Sequence, residues 1–302
     1  MNILIVGAGA VGGYFGARLI EKGEDVTFLV RKTRREQLEK DGLVVESIHG
    51  NVTVQPKVVE AGDGGQFDVI LIGTKSYHLD QAIESVKPFA HEKSVIIPML
   101  NGIAHIGRLQ DAFSHEQVIG GVCFIESTVT PEGVIKQTSP FHHFTFGELN
   151  GESTERIRRI AESFSNTKAV FKESDKVLEE LWHKYLFITT LSGVTTLFQQ
   201  PAGPIRELPE GIEIVKGLIK EITTIMRAEQ AQIAENVEEL QYERFAAQGY
   251  HMKSSMLRDM EKGLAVESDH IQGYLLVKAR KHEIETPILK IIYANLKLYE
   301  NR

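Results

Sequence analysis

The apolar run Ile3–Val6 leads directly into Gly7-Ala8-Gly9-Ala10-Val11-Gly12, and a helical pattern begins within those glycines. Nothing else in the chain constrains the fold as tightly. In a strand–turn–helix of this spacing, the first glycine permits the tight turn, the second lets backbone amides approach an anion, and the third lets the helix lie against the strand. The pyrophosphate of a dinucleotide then meets the unpaired amides of the helix N-terminus. Gly7, Ala8, Gly9, Ala10, Val11 and Gly12 are therefore expected to bind such a cofactor.

The same alternation continues along the first half. Val26–Val30, Val69–Gly73 and Val95–Met99 are short apolar runs suited to strands buried on both faces, and Ala10–Glu21, Tyr77–Val86 and Ile103–Phe113 have helical spacing between them. This predicts an α/β fold, an N-terminal Rossmann-type doubly wound sheet. Leu43–Val59 and Val118–Leu149 read as antiparallel additions, the second turning at Thr130-Pro131-Glu132-Gly133. Beyond Val170 strand patterns stop. Six stretches between Lys176 and Tyr299 carry helical periodicity, with Pro201, Pro204 and Pro209 grouped in one connecting loop. The expected organisation is a nucleotide-binding domain over residues 1–170 and an all-helical domain over 171–302.

The end of the second strand separates the two nicotinamide dinucleotides. An NAD site usually offers a carboxylate to the ribose hydroxyls there, whereas this chain places Arg31, whose guanidinium suits the 2′-phosphate of NADP(H). Lys32, Arg34 and Arg35 add positive charge or form a solvated run. Lys75, at the C-terminal end of the third strand, is either a second cation near the adenosine phosphate or a surface lysine. Asn101, before Gly102, is either a donor and acceptor at the nicotinamide end or a turn residue.

Composition narrows the remaining classes. With 34 Lys+Arg against 41 Asp+Glu the net charge is −7, and the basic residues are scattered, so no nucleic acid is expected as partner. One cysteine, Cys123, permits neither an intrachain disulfide nor a cysteine-based metal cluster, which suits a reducing compartment. The N-terminus lacks the basic region of a secretory signal, and no apolar run reaches the roughly 20 residues of a membrane span. A cytoplasmic location, with neither membrane nor metal involved, is the expectation.

With these residues in view, the chain resembles the ketopantoate reductase (2-dehydropantoate 2-reductase) family over nearly its whole length. The resemblance rests on the GxGxxG, Arg31, Lys75, Asn101-Gly102, Glu180-Leu181-Trp182-His183-Lys184, Ser254-Ser255-Met256-Leu257-Arg258-Asp259, Glu267 and Gly273-Tyr274-Leu275-Leu276. It implies an NADPH-dependent oxidoreductase of the pantothenate and coenzyme A pathway, passing hydride to the carbonyl carbon of a 2-oxo acid. It implies Lys184 as the proton donor, Glu267 as the residue that holds cofactor and substrate in register, and Asn101 and Ser255 as substrate contacts. Such a lysine makes chemical sense, since an ammonium both stabilises the developing alkoxide and supplies its proton. The expected partners are a small 2-oxo acid and a second copy of the chain in a homodimer.

Three positions depart from the family pattern. Ile188 and Ser192 follow Lys184 by one and two helical turns, so they are expected to line the same face, and typical members carry asparagine at both. A third family asparagine is replaced by Ala202. Each lost buried partner costs roughly 1–3 kcal/mol of binding, so the acceptor is either ketopantoate or a related, less polar 2-oxo acid. Two further readings are an NADP-binding sensor that has lost turnover and a different hydroxyacid dehydrogenase of similar build.

Overall fold

The structure, a computed structural model, describes residues 1–301. Its strands are Asn2–Val6 (β1), Asp25–Leu29 (β2), Leu43–Ser47 (β3), Val52–Val54 (β4), Lys57–Val59 (β5), Phe67–Ile72 (β6), Ala90–Pro98 (β7), Gly120–Val129 (β8), Ile135–Gly147 (β9) and Val170–Glu173 (β10). Its helices are Ala10–Lys22 (α1), Lys32–Asp41 (α2), Leu79–Val86 (α3), Ala104–Ala112 (α4), Glu155–Phe164 (α5), Val177–Phe198 (α6), Ala202–Glu207 (α7), Pro209–Ala228 (α8), Val237–Ala246 (α9), Ser255–Glu261 (α10), Tyr274–Lys281 (α11) and Pro287–Glu300 (α12). Contacts divide the chain into two units: Met1–Leu100 with His105–Leu178, and Asn101–Ala104 with everything from Glu179 on.

The first unit contains a parallel sheet in the order β5-β2-β1-β6-β7. Alternation along β1 explains why its sequence is apolar throughout. Ile3 and Ile5 enter one core with Phe15 and Leu19 of α1, while Leu4 and Val6 enter the opposite core with Leu79, Ile83 and Val86 of α3. A strand covered on both faces has no polar side to present.

A second sheet runs β10-β9-β3-β4, with β8 antiparallel to β9. The turn at Thr130–Gly133 falls between β8 and β9 as the residues indicate, the Gly133 amide donating to the Thr130 carbonyl at 2.9 Å. The Leu43–Val59 addition is only partly antiparallel. β3 and β4 form a hairpin, but β3 also pairs parallel with β9, and β5 joins the main sheet parallel to β2. Strand β10 pairs parallel with β9, so this unit continues to Leu178 and does not close at residue 170. Four residues are too short a run to show periodicity. Helix α5 likewise was not apparent from the sequence, although Thr154 caps it, Oγ1 accepting from the Ile157 amide.

The second unit is helical. Buried Leu181, Tyr185, Leu186, Leu191 and Val194 lie all round α6, and Gly193 admits Ile292 of α12 and Leu218 of α8 close to its backbone. The proline cluster is not wholly loop: Pro201 precedes α7 and Pro204 lies in its first turn, where a missing amide hydrogen leaves no intrahelical bond unmade. A π-turn, Asp269–Gly273, leads into α11. No helix among the described residues is long and apolar enough to cross a membrane.

Candidate active site

In the first unit the glycine turn has the geometry its spacing implies. Gly7 has φ +92°, open to glycine at little cost, and its amide donates to the Leu29 carbonyl at 3.0 Å. A Cβ on Gly12 would stand 2.6 Å from the Gly7 carbonyl oxygen, so helix and strand meet here only through glycine. A Cβ on Gly9 would meet nothing within 4 Å, leaving open space before the first turn of α1. No side chain caps that turn and no acidic residue occupies it. Uncapped amides facing open space fit the pyrophosphate of a dinucleotide.

Arg31 leaves the end of β2 as the N-cap residue of α2, and its exposed guanidinium donates to Gln81 Oε1 at 2.8 Å. Its basic neighbours are less available. Arg34 donates to Gln37 and to the Gly133 carbonyl, and Arg35 pairs with Glu39, Glu60 and Asp63. These pairs hold Arg34 and Arg35 within the first unit, with Arg34 partly buried and not part of a solvated run. Lys75 follows β6 beyond Thr74 and opens the short turn Ser76–His78, half-buried.

In the second unit Asn101, Ile188, Ser192, Ser255 and Glu267 line one small cavity of about 70 Å³, together with Leu191, Ser254, Met256, Asp259 and Ile271. Three elements build it. Helix α6 presents Ile188, Leu191 and Ser192 by its three- and four-residue spacing. The N-terminus of α10 presents Ser255 and Met256, while Ser254 caps that helix by accepting from the Leu257 amide at 3.0 Å. The segment from Glu267 into the π-turn supplies Glu267 and Ile271. Lys184 is buried on α6 one turn before Ile188 and is not among the lining side chains. Ala202 is fully buried, its amide donating to the Met252 carbonyl at 2.9 Å, and it too is absent from this wall.

The family model described as Ketopantoate reductase PanE/ApbA matches residues 3–151, and that of its C-terminal domain matches residues 176–300. The chain belongs to the ketopantoate reductase family. A relative from Bacillus subtilis (strain 168), named an uncharacterized oxidoreductase, YkpB, is 52% identical over 300 residues, 99% of each chain. The crystal structure of a 2-dehydropantoate 2-reductase from Geobacter metallireducens is similar with a TM-score of 0.89 and 28% identity, covering 99% of both chains. A ternary structure of D-mandelate dehydrogenase with NADH and anilino(oxo)acetate also has a TM-score of 0.89, at 18% identity, covering 100% of this chain and 99% of that one. The ketopantoate reductase fold is thus this chain's fold, and its family is one of oxidoreductases.

Three residues in or against the wall of this cavity escaped sequence reading. Leu191 could have been found, since it lies three residues after Ile188 on the same helical face. His270 and Gln272 could not. His270 Nε2 stands 2.8 Å from the Asn101 carbonyl oxygen, and Gln272 Nε2 donates to Ser192 Oγ at 2.9 Å. Both depend on the π-turn, which breaks the 3.6-residue period by which helical faces are assigned.

Proposed function

We propose that this member of the ketopantoate reductase family reduces a 2-oxo acid to the 2-hydroxy acid with NADPH, the acceptor being 2-dehydropantoate or a close relative with a less polar side chain. The convergence of Asn101, Ser192, Ser255 and Glu267 with Ile188 on one cavity carries the reading. The bound dinucleotide supplies the hydride that adds to the carbonyl carbon. Gly7–Gly12 hold its pyrophosphate by backbone amides, and Arg31, with Lys75, meets the 2′-phosphate. Lys184 Nζ gives its proton to the carbonyl oxygen as negative charge develops there. Asn101 and Ser255 hold the acid, and Glu267 keeps the reactants in register. Ile188, Leu191, Met256 and Ile271 offer the acid's side chain an apolar wall, which favours an alkyl group over a hydroxylated one. The pathway this implies is pantothenate synthesis, the location the cytoplasm, and the assembly a homodimer.

The test is the loss of NADPH absorbance with ketopantoate and with 2-oxo acids of graded size and polarity, for the wild type and Lys184→Ala. Turnover of at least one acid is expected, with kcat/KM falling about 10²–10⁴-fold in the variant. Silence across the series overturns the enzyme in favour of a dinucleotide-binding sensor. Survival of more than about a tenth of kcat/KM in Lys184→Ala removes that lysine's role.

A further inference from the structure

The π-turn Asp269–Gly273 is fastened on two sides. Toward α12, Ser268 Oγ donates to Glu300 Oε1 at 2.6 Å, Tyr293 OH donates to Asp269 Oδ1 at 2.6 Å, and a Cβ on Gly273 would meet the Tyr293 ring at 3.1 Å. On the other side, the next three residues each meet a different partner, two of which, Asn101 and Ser192, line the cavity. His270 reaches the Asn101 carbonyl, the Ile271 carbonyl accepts from the buried Tyr185 hydroxyl at 2.5 Å, and Gln272 reaches Ser192.

The contact of His270 with Asn101 has a fixed polarity. A carbonyl oxygen can only accept, so Nε2 of His270 carries the hydrogen. His270 is buried, with 8% of its surface exposed. Gly102, at φ +84°, packs against it so closely that a Cβ would come within 3.1 Å of Cδ2 and Nε2. Asn101 follows β7 by a short turn, yet Asn101–Ala104 group with the helical unit. The main-chain carbonyl of Asn101 is thus held by the π-turn, and Asn101 is one of the residues that line the cavity. A lining amide on a turn is useful only if the turn is held, because each freely rotating polar side chain must be ordered when the ligand binds.

We propose that His270 is a positioning residue for Asn101: its Nε2–H anchors the Asn101 carbonyl and the Gly102 turn, so that the Asn101 amide is already oriented toward a bound 2-oxo acid. The role as a substrate contact rests on the function proposed above. The anchoring itself does not, and the test separates the two.

Three variants, His270→Ala, His270→Gln and Asn101→Ala, are compared with the double variant H270A/N101A. Glutamine places a donor nitrogen at the same distance along the side chain as Nε2, so it is the conservative replacement. His270→Ala is expected to raise KM for the accepted 2-oxo acid about tenfold, the loss of one oriented hydrogen bond, while KM for NADPH stays unchanged. His270→Gln is expected to restore most of that loss. Once His270 is gone, removing the Asn101 amide should cost less than it does in the wild type, the non-additivity of two groups acting together. Additive effects, or an equal rise in KM for NADPH, overturn the positioning role. Hydrogen–deuterium exchange of the Asn101–Ala104 segment reads the anchor without turnover: faster exchange there in His270→Ala, with distant helices unchanged and protection regained in His270→Gln, is expected. Unchanged exchange at Asn101–Ala104 overturns the proposal even in an active enzyme. If the wild type reduces no 2-oxo acid but the exchange pattern holds, the proposed function fails and the anchor stands.

Discussion

Gln272 Nε2 donates to Ser192 Oγ across 2.9 Å, joining the π-turn to α6 at the wall of the helical cavity. Gln272 is fully buried, and its Oε1 has no partner. The two ends of this bond are therefore unequal. Ser192→Ala would strand an entire buried amide, whereas Gln272→Met would remove the unpartnered oxygen and leave a hydroxyl still able to turn to the Thr189 carbonyl. Ser192→Ala is expected to cost about 1–3 kcal/mol and Gln272→Met distinctly less. Urea midpoints of the two variants decide it, and the reverse order would contradict the asymmetry.

The glycine turn gives a prediction in which fold and binding separate. Gly12→Ala must push a methyl group against the Gly7 carbonyl, so it is expected to lower the unfolding midpoint as well as cofactor affinity. Gly9→Ala meets only open space, so stability should stay within about 0.5 kcal/mol of wild type. Its methyl group would stand where the pyrophosphate approaches, and NADPH affinity should fall. Thermal unfolding together with a fluorescence titration of NADPH measures both. A Gly9→Ala protein that binds NADPH as tightly as wild type would place the dinucleotide elsewhere.

What could be read from residues alone follows the range of the interactions that decide each element. The βαβ start was legible because a buried strand, three glycines and a helix leave one local solution. Ile188 and Ser192, which helical spacing places on one face, share a cavity wall with Asn101, Ser255 and Glu267, which the family resemblance named, while Lys184, expected on that same face, is not among the lining residues. Ala202 was named as a missing polar partner; it is fully buried at the start of α7 and is not among the residues that line the cavity. Strand β10 and the parallel partners of β3 and β5 depend on pairing between segments distant in the chain, to which no local pattern points. The π-turn was invisible for the opposite reason, since its irregularity is local but has no periodic signature.

The proposed preference for NADPH rests on Arg31, because Arg34 and Arg35 are committed to other partners. Arg31→Ala is expected to lower the NADPH-to-NADH ratio of kcat/KM by about tenfold or more, the scale of a hydrogen bond to a charged group. The loss should fall on KM for NADPH and leave KM for NADH nearly unchanged. Steady-state kinetics with both cofactors check this, and an unchanged ratio removes Arg31 from phosphate recognition. Removing Gln81, which holds the guanidinium at 2.8 Å, should move the ratio the same way but less.

Acid sensitivity should begin at His142 in the first unit. Burial, and then the charges of His49, His143 and Arg18, push its imidazole down from 6.5 to about 4. Its Nδ1 lies 2.7 Å from the Tyr14 hydroxyl, and its ring stacks on His49 at 3.6 Å between centroids. Above pH 6.5 the ring is neutral whether the chain is folded or not, so it adds no pH dependence. As pH falls from 6.5 toward 4, the unfolded chain takes up a proton that the folded site refuses, and stability is lost. His183 contributes in the same direction, its imidazole also lowered chiefly by burial. Glu229 acts later. Burial would raise its carboxyl, but Lys278, Lys281 and His282 outweigh that and hold it near 2, so its contribution is full above 4.5 and disappears as pH approaches 2. Denaturant midpoints should therefore decline between pH 6.5 and 5, before the Glu229 carboxylate takes up a proton. His142→Asn keeps an acceptor for Tyr14 but cannot titrate, so its midpoints should decline less over that interval. If wild type and His142→Asn decline in parallel, the imidazole is not the group that senses the acid.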